Sequence, residues 1–462
     1  MRYSRFASAR ATGDFLADLG SSYEDIPRRA GTGAPSGNLD ALRRMAQRRQ
    51  MVDAIVRRGV AGDGSGAAWL AQLDDLLAGL NPAGAGMLLL DTANRLRRED
   101  RREPAEEVYQ AILQRYPREP VAEAAAFELL RHAVSRELQT GRRSTGLVRL
   151  LPAQPEPAQG GVAFAFGAEE SPIEGGQVQQ AAGLAVDTGR GGERTARLVE
   201  RFERAYPGLM SLPEARCLTA ASQRGAQGFN RGAKARQIYE ALAAGDAADP
   251  WTRSAQGELW LLRPGPVGPK PFVVVGESKE RPFLDGGLDD ALWREAARLE
   301  LRSPARDDRD WPAAVYFARD EEYLYVAGEC RLPPGAAPWH EAAERRRDED
   351  LSNSERIVLS CDVDRDYATA FHLTVDRHGA TIDRAGDRLG WNPGWYVSTG
   401  GDGAHWRFEA AIPLRELHGE EAPLEAWGLA VARIVPGFGL QTWENGPGVA
   451  ESPAEYGYLR FK

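Results

Sequence analysis

Lysine is almost absent from this chain: of 58 basic residues only Lys234, Lys270, Lys279 and Lys462 are lysines. Arginine supplies the rest, alongside heavy use of Ala, Gly and Pro, and this pattern reads as a chain-wide codon bias. Clusters such as Arg345–Arg347 are therefore read as solvated charge and not as a phosphate site. The formal net charge is −9, so the basic footprint of a general nucleic-acid binder is missing. Long apolar runs are missing too. Mean hydropathy is −0.46, and short runs such as Met87–Leu90 fall far below the roughly 20 residues of a membrane span. Neither nucleic acid nor a membrane is an expected partner.

Cysteine is scarce. Cys217, Cys330 and Cys361 form no C-x-x-C pair, which excludes a disulfide scaffold and a zinc framework. Three buried thiols are one reading. A Cys330–Cys361 bridge is the other, since both lie in strand-like runs. The six histidines make no H-x-x-x-H or H-E-x-x-H pattern. Gly62–Gly66 lacks a following G-K-[ST], and Ser65 is not in a G-x-S-x-G elbow. Glu409 and Asp362 are carboxylates without the paired spacing of a glycosidase. In the strand reading Glu409 faces solvent or an ion pair. No catalytic constellation emerges, so the expectation is a binding protein and not an enzyme. The N-terminus has arginines but no apolar h-region, which reads as cytoplasmic or as a chain starting further upstream.

What is present divides the chain. The length of 462 residues implies two or three domains. Residues 1–37 read as a poorly ordered segment. Residues 38–140 are helical, with apolar residues at helix spacing in 38–58, 67–80 and the stretch from Gly86 to Val134. There a helix ends near Arg98, a polar turn holds Glu103-Pro104, a second helix closes at Tyr116-Pro117, and a third runs over 121–138. AEEVYQAILQRYP is similar to the second helix of a tetratricopeptide repeat, and AKARQIYEALAAG at 233–245 is a degenerate second copy. Such helices serve as spacers or docking surfaces for a protein partner.

Residues 141–192, rich in Gly, Pro and Gln, read as a flexible insertion, and residues 193–263 return to the helical pattern. RPGPVGPKPF ends the helical half, and 264–271 is expected to be an extended linker. Beyond it the period becomes two. Strands are predicted at 314–318, 323–330, 355–362, 368–376, 395–399, 405–412, 426–435 and 455–461. The expected fold class is thus multidomain: an α-helical tetratricopeptide-like N-terminal half and a C-terminal antiparallel, jelly-roll-like β-sandwich over 272–462.

Asp362, Asp364 and Asp366 have the odd spacing that opens an EF-hand loop, but Tyr367 stands at its glycine and Leu373 at its bidentate glutamate. A polar hairpin turn is one reading and a looser structural calcium site the other. No other cofactor is expected.

The sandwich half carries an ordered set of landmarks: LDGGLDDALWREA at 284–296, DEEYLYVAGEC, ERIVLSCDVDRDYATAFHLTVD, HWRFEAAIPLREL and the closing EYGYLRF. In these it resembles the family 9 carbohydrate-binding modules, within the wider DOMON-like sandwiches. The resemblance implies a non-catalytic domain that binds an oligo- or polysaccharide and that is often attached to exported glycoside hydrolases. In the family two tryptophans clamp the sugar, one before the strand written here ERIVLSCD and one near the C-terminus. This chain has DLSNS (350–354) at the first place and no tryptophan after Trp443. The ligand-binding candidates are therefore loop tryptophans: Trp391, Trp395, Trp339 and Trp443. Trp406 alternates with Phe408 and Ile412 and is expected in the core, and Trp293 is expected to be a packing anchor.

Overall fold

The computed structural model describes residues 80–138, 188–224, 229–340, 347–418, 425–443 and 452–462, together with positions 50 and 77. Residues 1–37, most of 38–58, most of 67–80 and most of 141–192 lie outside these residues. Helices fill the first half. They are α1 (Pro82–Arg98), α2 (Arg102–Arg115), α3 (Pro120–Val134), α4 (Thr188–Ala205), α5 (Pro207–Met210), α6 (Pro213–Arg224), α7 (Phe229–Ala243) and α8 (Pro250–Leu261). Proline opens several of them, where its missing N–H costs nothing. Asn81 and Asp249 cap α1 and α8 by accepting from Gly84 N and Thr252 N.

Three boundaries differ from the sequence reading. Glu103-Pro104 is not the turn: both residues sit in the first turn of α2, which tolerates proline, and the chain reverses at Asp100 with φ 58°. α3 stops at Val134, before the expected 138. α4 begins at Thr188, inside the segment read as a flexible insertion.

α1 packs on α2 and α3, α6 packs on α7 and α8, and α3 joins the two groups through α4 and α6. Tyr109 of α2 and Tyr239 of α7, the aromatic positions matched in sequence, are both buried in this core.

The second half is two packed sheets. The larger has the order β1 (Phe272–Val275), β12 (Gly457–Phe461), β10 (Ala426–Val435), β5 (Arg356–Asp362), β6 (Phe371–Asp376), β7 (Thr381–Ala385), with β11 (Gly439–Thr442) also paired to β10. The smaller has the order β2 (Ala297–Leu301), β3 (Ala313–Arg319), β4 (Tyr323–Arg331), β9 (His405–Pro413), β8 (Tyr396–Gly401). All pairs are antiparallel except β1 with β12. Alternation puts Val315, Val326, Leu359, Leu373, Phe408 and Val431 into one apolar interior between the sheets.

Cys330 and Cys361 face that interior from different sheets and are free thiols, as is Cys217. Packed sheets stand about 10 Å apart, beyond the reach of a disulfide. The bridge considered from sequence does not form.

The two halves share buried surface. The β5–β6 hairpin, residues 362–370, enters the helical half, where Tyr367 and Ala368 join the helical core. Around it Arg131 Nη2 donates to Ala368 O (3.0 Å), Arg365 Nε to Glu258 Oε1 (3.0 Å) and Tyr367 Oη to Glu258 Oε1 (2.6 Å). The proline-rich linker is pinned too, contrary to a free spacer. Lys270 Nζ is buried and donates to Ser254 Oγ (2.8 Å) and Ala454 O (2.7 Å).

At Gly257 of α8 the packing leaves no room for a side chain: an added Cβ would lie 1.9 Å from Tyr458 Oη. Gly257→Ala is expected to cost about 1–3 kcal/mol, because the buried Tyr458 has nowhere to go. Gly232→Ala on α7 meets open space and serves as the matched control, expected to gain about 0.5–1 kcal/mol from helix propensity alone. Urea unfolding of the two variants checks this, and equal midpoints would mean that the halves are not packed in this way.

Candidate functional site

β7 and β8 end their respective sheets, so one side of the sandwich would be left open. The sequence closes it with tryptophans. The chain turns at Gly390 between these strands, and Trp391 beyond it lies inside. It is only 4% exposed and packs on Phe371 with ring centroids 4.4 Å apart. A surface platform was expected at Trp391; the apolar gap between the two edges takes the indole instead.

Trp395 is half-buried, lines the apolar interior with Leu373 and Phe408, and donates from Nε1 to Asp383 Oδ1 (3.2 Å). Arg347 Nη2 reaches the same oxygen (2.7 Å) and Pro393 O (2.8 Å). Burial pushes the Asp383 carboxyl above the usual range.

Trp339 is half-buried over Gly401, at the end of β8, with Nε1 on Arg377 O (2.7 Å). Trp443 lies elsewhere, half-buried against Gly457 of β12. The structure thus brings Trp339, Trp391 and Trp395 to one edge and leaves Trp443 apart. All four indoles have protein partners on at least one side.

Trp406 and Trp293 are buried as expected. Glu409 is not on a solvated face. It points away from the interior, but the loop 284–296 covers that outer face of β9. Glu409 is fully buried there and accepts from Asp285 N (3.0 Å), Gly286 N (2.7 Å) and Trp293 Nε1 (2.6 Å). Burial raises its proton affinity, and these donors oppose the rise. Gly286, at φ 85°, is required: a Cβ there would lie 2.3 Å from Gly400 N.

The sequence reading missed an aromatic surface beside this covered patch. Tyr396 on β8 is 58% exposed, and its ring lies 6.5 Å from that of half-buried Tyr323 on β4. Arg281 stands 5.5 Å over the Tyr323 ring and pairs with Asp320 Oδ2 (2.8 Å) and Glu322 Oε2 (2.7 Å). Asp320 is anchored by Tyr325 Oη (2.8 Å) and by the amides of Glu322 and Tyr323. Burial works against its ionisation, but these donors and Arg281 hold it below the usual carboxylate range. The patch presents two tilted aromatic faces beside the Arg281 guanidinium and the Glu322 carboxylate, with buried Asp320 holding Arg281 from beneath. That set can stack on a flat polar ring and hydrogen-bond its edge. The motif WYVST held the clue: if Trp395 points inward, Tyr396 points out.

The three aspartates read as a calcium candidate lie on the hairpin between the halves. Asp362 Oδ1 and Oδ2 accept from the amides of Asp366 (3.1 Å) and Tyr367 (3.0 Å). Asp366 turns to amides as well, accepting from Ala368 N (2.6 Å) and Arg136 N (2.9 Å). Asp364 meets Glu137, which the sequence reading did not connect with it.

No family model and no curated protein matches the chain. Among solved structures, two from Caldicellulosiruptor kristjanssonii are similar in shape. Both are family 9 carbohydrate-binding modules. The one in complex with cellotriose is 18% identical, covers 42% of this chain and 94% of its own, and has a TM-score of 0.32. The one in complex with glucose is 19% identical, covers 42% and 96%, and has a TM-score of 0.31. Among the described residues, no helix is long and apolar enough to cross a membrane.

Proposed function

We propose that the C-terminal sandwich is a non-catalytic carbohydrate-binding domain and that its sugar face is the β8 edge, with Tyr396 as the platform. The observation that carries this reading is the exposed Tyr396 ring beside Tyr323, rimmed by Arg281 and Glu322. A pyranose offers an apolar C–H face to such rings and hydroxyls to the charged rim. The platform is open and shallow, so affinity is expected to be weak, with a Kd on the order of 0.1–1 mM. Trp339, half-buried over Gly401 at the end of β8, is the alternative stacking surface, since Trp395 turns into the apolar interior. Trp391 would first have to leave Phe371, and Trp443 stands apart.

Titration calorimetry of the full chain with glucose, cellotriose, and xylo- and manno-oligosaccharides tests the reading. Tyr396→Ala is expected to weaken binding by roughly tenfold or more. Retained binding in Tyr396→Ala with loss in Trp339→Ala would move the site to that indole. No binding by the wild type to any sugar would leave the second reading, in which the chain is a scaffold for a protein partner. What favours that reading is that all four candidate tryptophans already pack against protein.

A further inference from the structure

Glu137 follows α3, in the helical half, and is completely buried. Its Oε2 accepts from Thr369 Oγ1 (3.0 Å) and Ser135 Oγ (3.4 Å), but its Oε1 is buried with no hydrogen-bond partner. On the hairpin from the other half, Asp364 Oδ1 is also buried without a donor. Together with Asp362, these residues bring three carboxylate oxygens within 4.8 Å of one another. Burial pushes the carboxyls of Glu137, Asp362, Asp364 and Asp366 up, and the charge of Asp364 adds to the rise at the other three. Arg136, Arg224 and Arg365 offset part of the charge on Asp364, but none donates to Glu137 Oε1 or Asp364 Oδ1. Arg224 is directed to Glu258 and to the carbonyls of Asp364 and Arg365, and Arg365 to Glu258 and Ala426 O. Arg136 places its guanidinium on His418 O and its backbone amide on Asp366.

Two orphaned oxygens, one from each half and both shielded from water, would each lose their hydration with nothing in return. A bound cation resolves the deficit. Three oxygens mutually within 4.8 Å all fit within about 2.8 Å of one centre, a few tenths of an ångström beyond a calcium–oxygen bond, which small side-chain adjustments supply. Magnesium demands shorter bonds and keeps most of its water, so a buried set of protein carboxylates favours the larger ion. We propose that Glu137, Asp362 and Asp364 bind one calcium ion between the helical half and the sandwich, and that the ion fastens the two together. Asp366 is left out of the ligand set because the oxygens that converge are those of Glu137, Asp362 and Asp364.

The test is calcium titration of the EDTA-stripped full chain by calorimetry, with melting curves alongside. One calcium per chain is expected, with a Kd on the order of 10⁻⁵ M. At saturating calcium the melting temperature should rise by about 3–5 °C. Glu137→Gln and Asp364→Asn should each weaken binding at least about tenfold while keeping the helical circular-dichroism signal. In EDTA, Glu137→Gln should melt no lower than the wild type, because it removes a repelling charge. An absence of saturable heat together with an unchanged melting temperature in the wild type would overturn the proposal. Full calcium affinity in a folded Glu137→Gln variant would overturn the bridging role. An equal shift with magnesium at the same concentration would overturn the choice of ion.

Discussion

Glu258→Ala is expected to destabilise the full chain by about 3–5 kcal/mol, because it strips the counter-charge from buried arginines. Glu258 is 4% exposed on α8 and receives Arg224 from α6, Arg365 Nε from the hairpin and Tyr367 Oη. Burial by itself would raise its carboxyl, yet the two guanidiniums and the Tyr367 hydroxyl hold it down at about 2. The sign of the pH dependence follows. A depressed carboxylate stabilises the fold above its unfolded value of 4.5, and the contribution is lost as pH falls towards about 2. Urea unfolding at neutral pH and again near pH 3 should show the wild type losing stability on acidification while Glu258→Ala loses less. A cost below about 1 kcal/mol at neutral pH would mean that water reaches the arginines and that the ion cluster is not closed.

Arg433→Ala is the second large effect, again about 3–5 kcal/mol, and it lies wholly within the sandwich. Arg433 has no exposed surface. It donates from Nε to Glu355 Oε1 (2.9 Å), from Nη1 to Trp311 O (2.9 Å) and Gln441 Oε1 (3.0 Å), and from Nη2 to Arg331 O (2.6 Å). Trp406 Nε1 donates to the same Glu355 oxygen (2.7 Å), so removing the guanidinium leaves a buried carboxylate with too few donors. Lysine is no substitute, since one ammonium cannot span four acceptors in a planar fork. Arg433→Met combined with Glu355→Gln should recover much of the loss, because the uncompensated charge is gone. A double variant no more stable than Arg433→Ala would show that packing over Trp311, 5.3 Å from the guanidinium, and not charge, is what the residue supplies.

The strands that were legible in the sequence are those with one clear apolar face, such as Phe317 and Val315 in β3 or Trp406 and Phe408 in β9. β1, β2, β7 and β11 are four or five residues long and were not recognised. Too few alternations fit in so short a run, and their identity comes from the strands beside them. The face of Glu409 was also read correctly as opposite to Trp406. What covers that face is a loop more than a hundred residues earlier, which local periodicity cannot show. Trp391 misled because Gly and Pro beside it mark a loop, and the open edge that draws the ring inward exists only once both sheets are placed. The aspartate spacing located the hairpin but not Glu137, since residues 137 and 369 meet only across the two halves. Tyr396, by contrast, was within reach of simple alternation along β8.

The hairpin seated in the helical half also sets a timetable for synthesis. Arg365 and Tyr367 lie 107 and 109 residues after Glu258, their common partner. At roughly 5–20 residues per second, that gap is about 5 to 20 s of translation. During this interval the helical half is complete in sequence but lacks the side chains that neutralise and fill its centre. Lys270 waits longer still, for a carbonyl 184 residues away. A nascent chain stalled before residue 365 would therefore expose an unfinished core, with Glu258 held by Arg224 alone, which makes that stage the one most in need of a chaperone's protection.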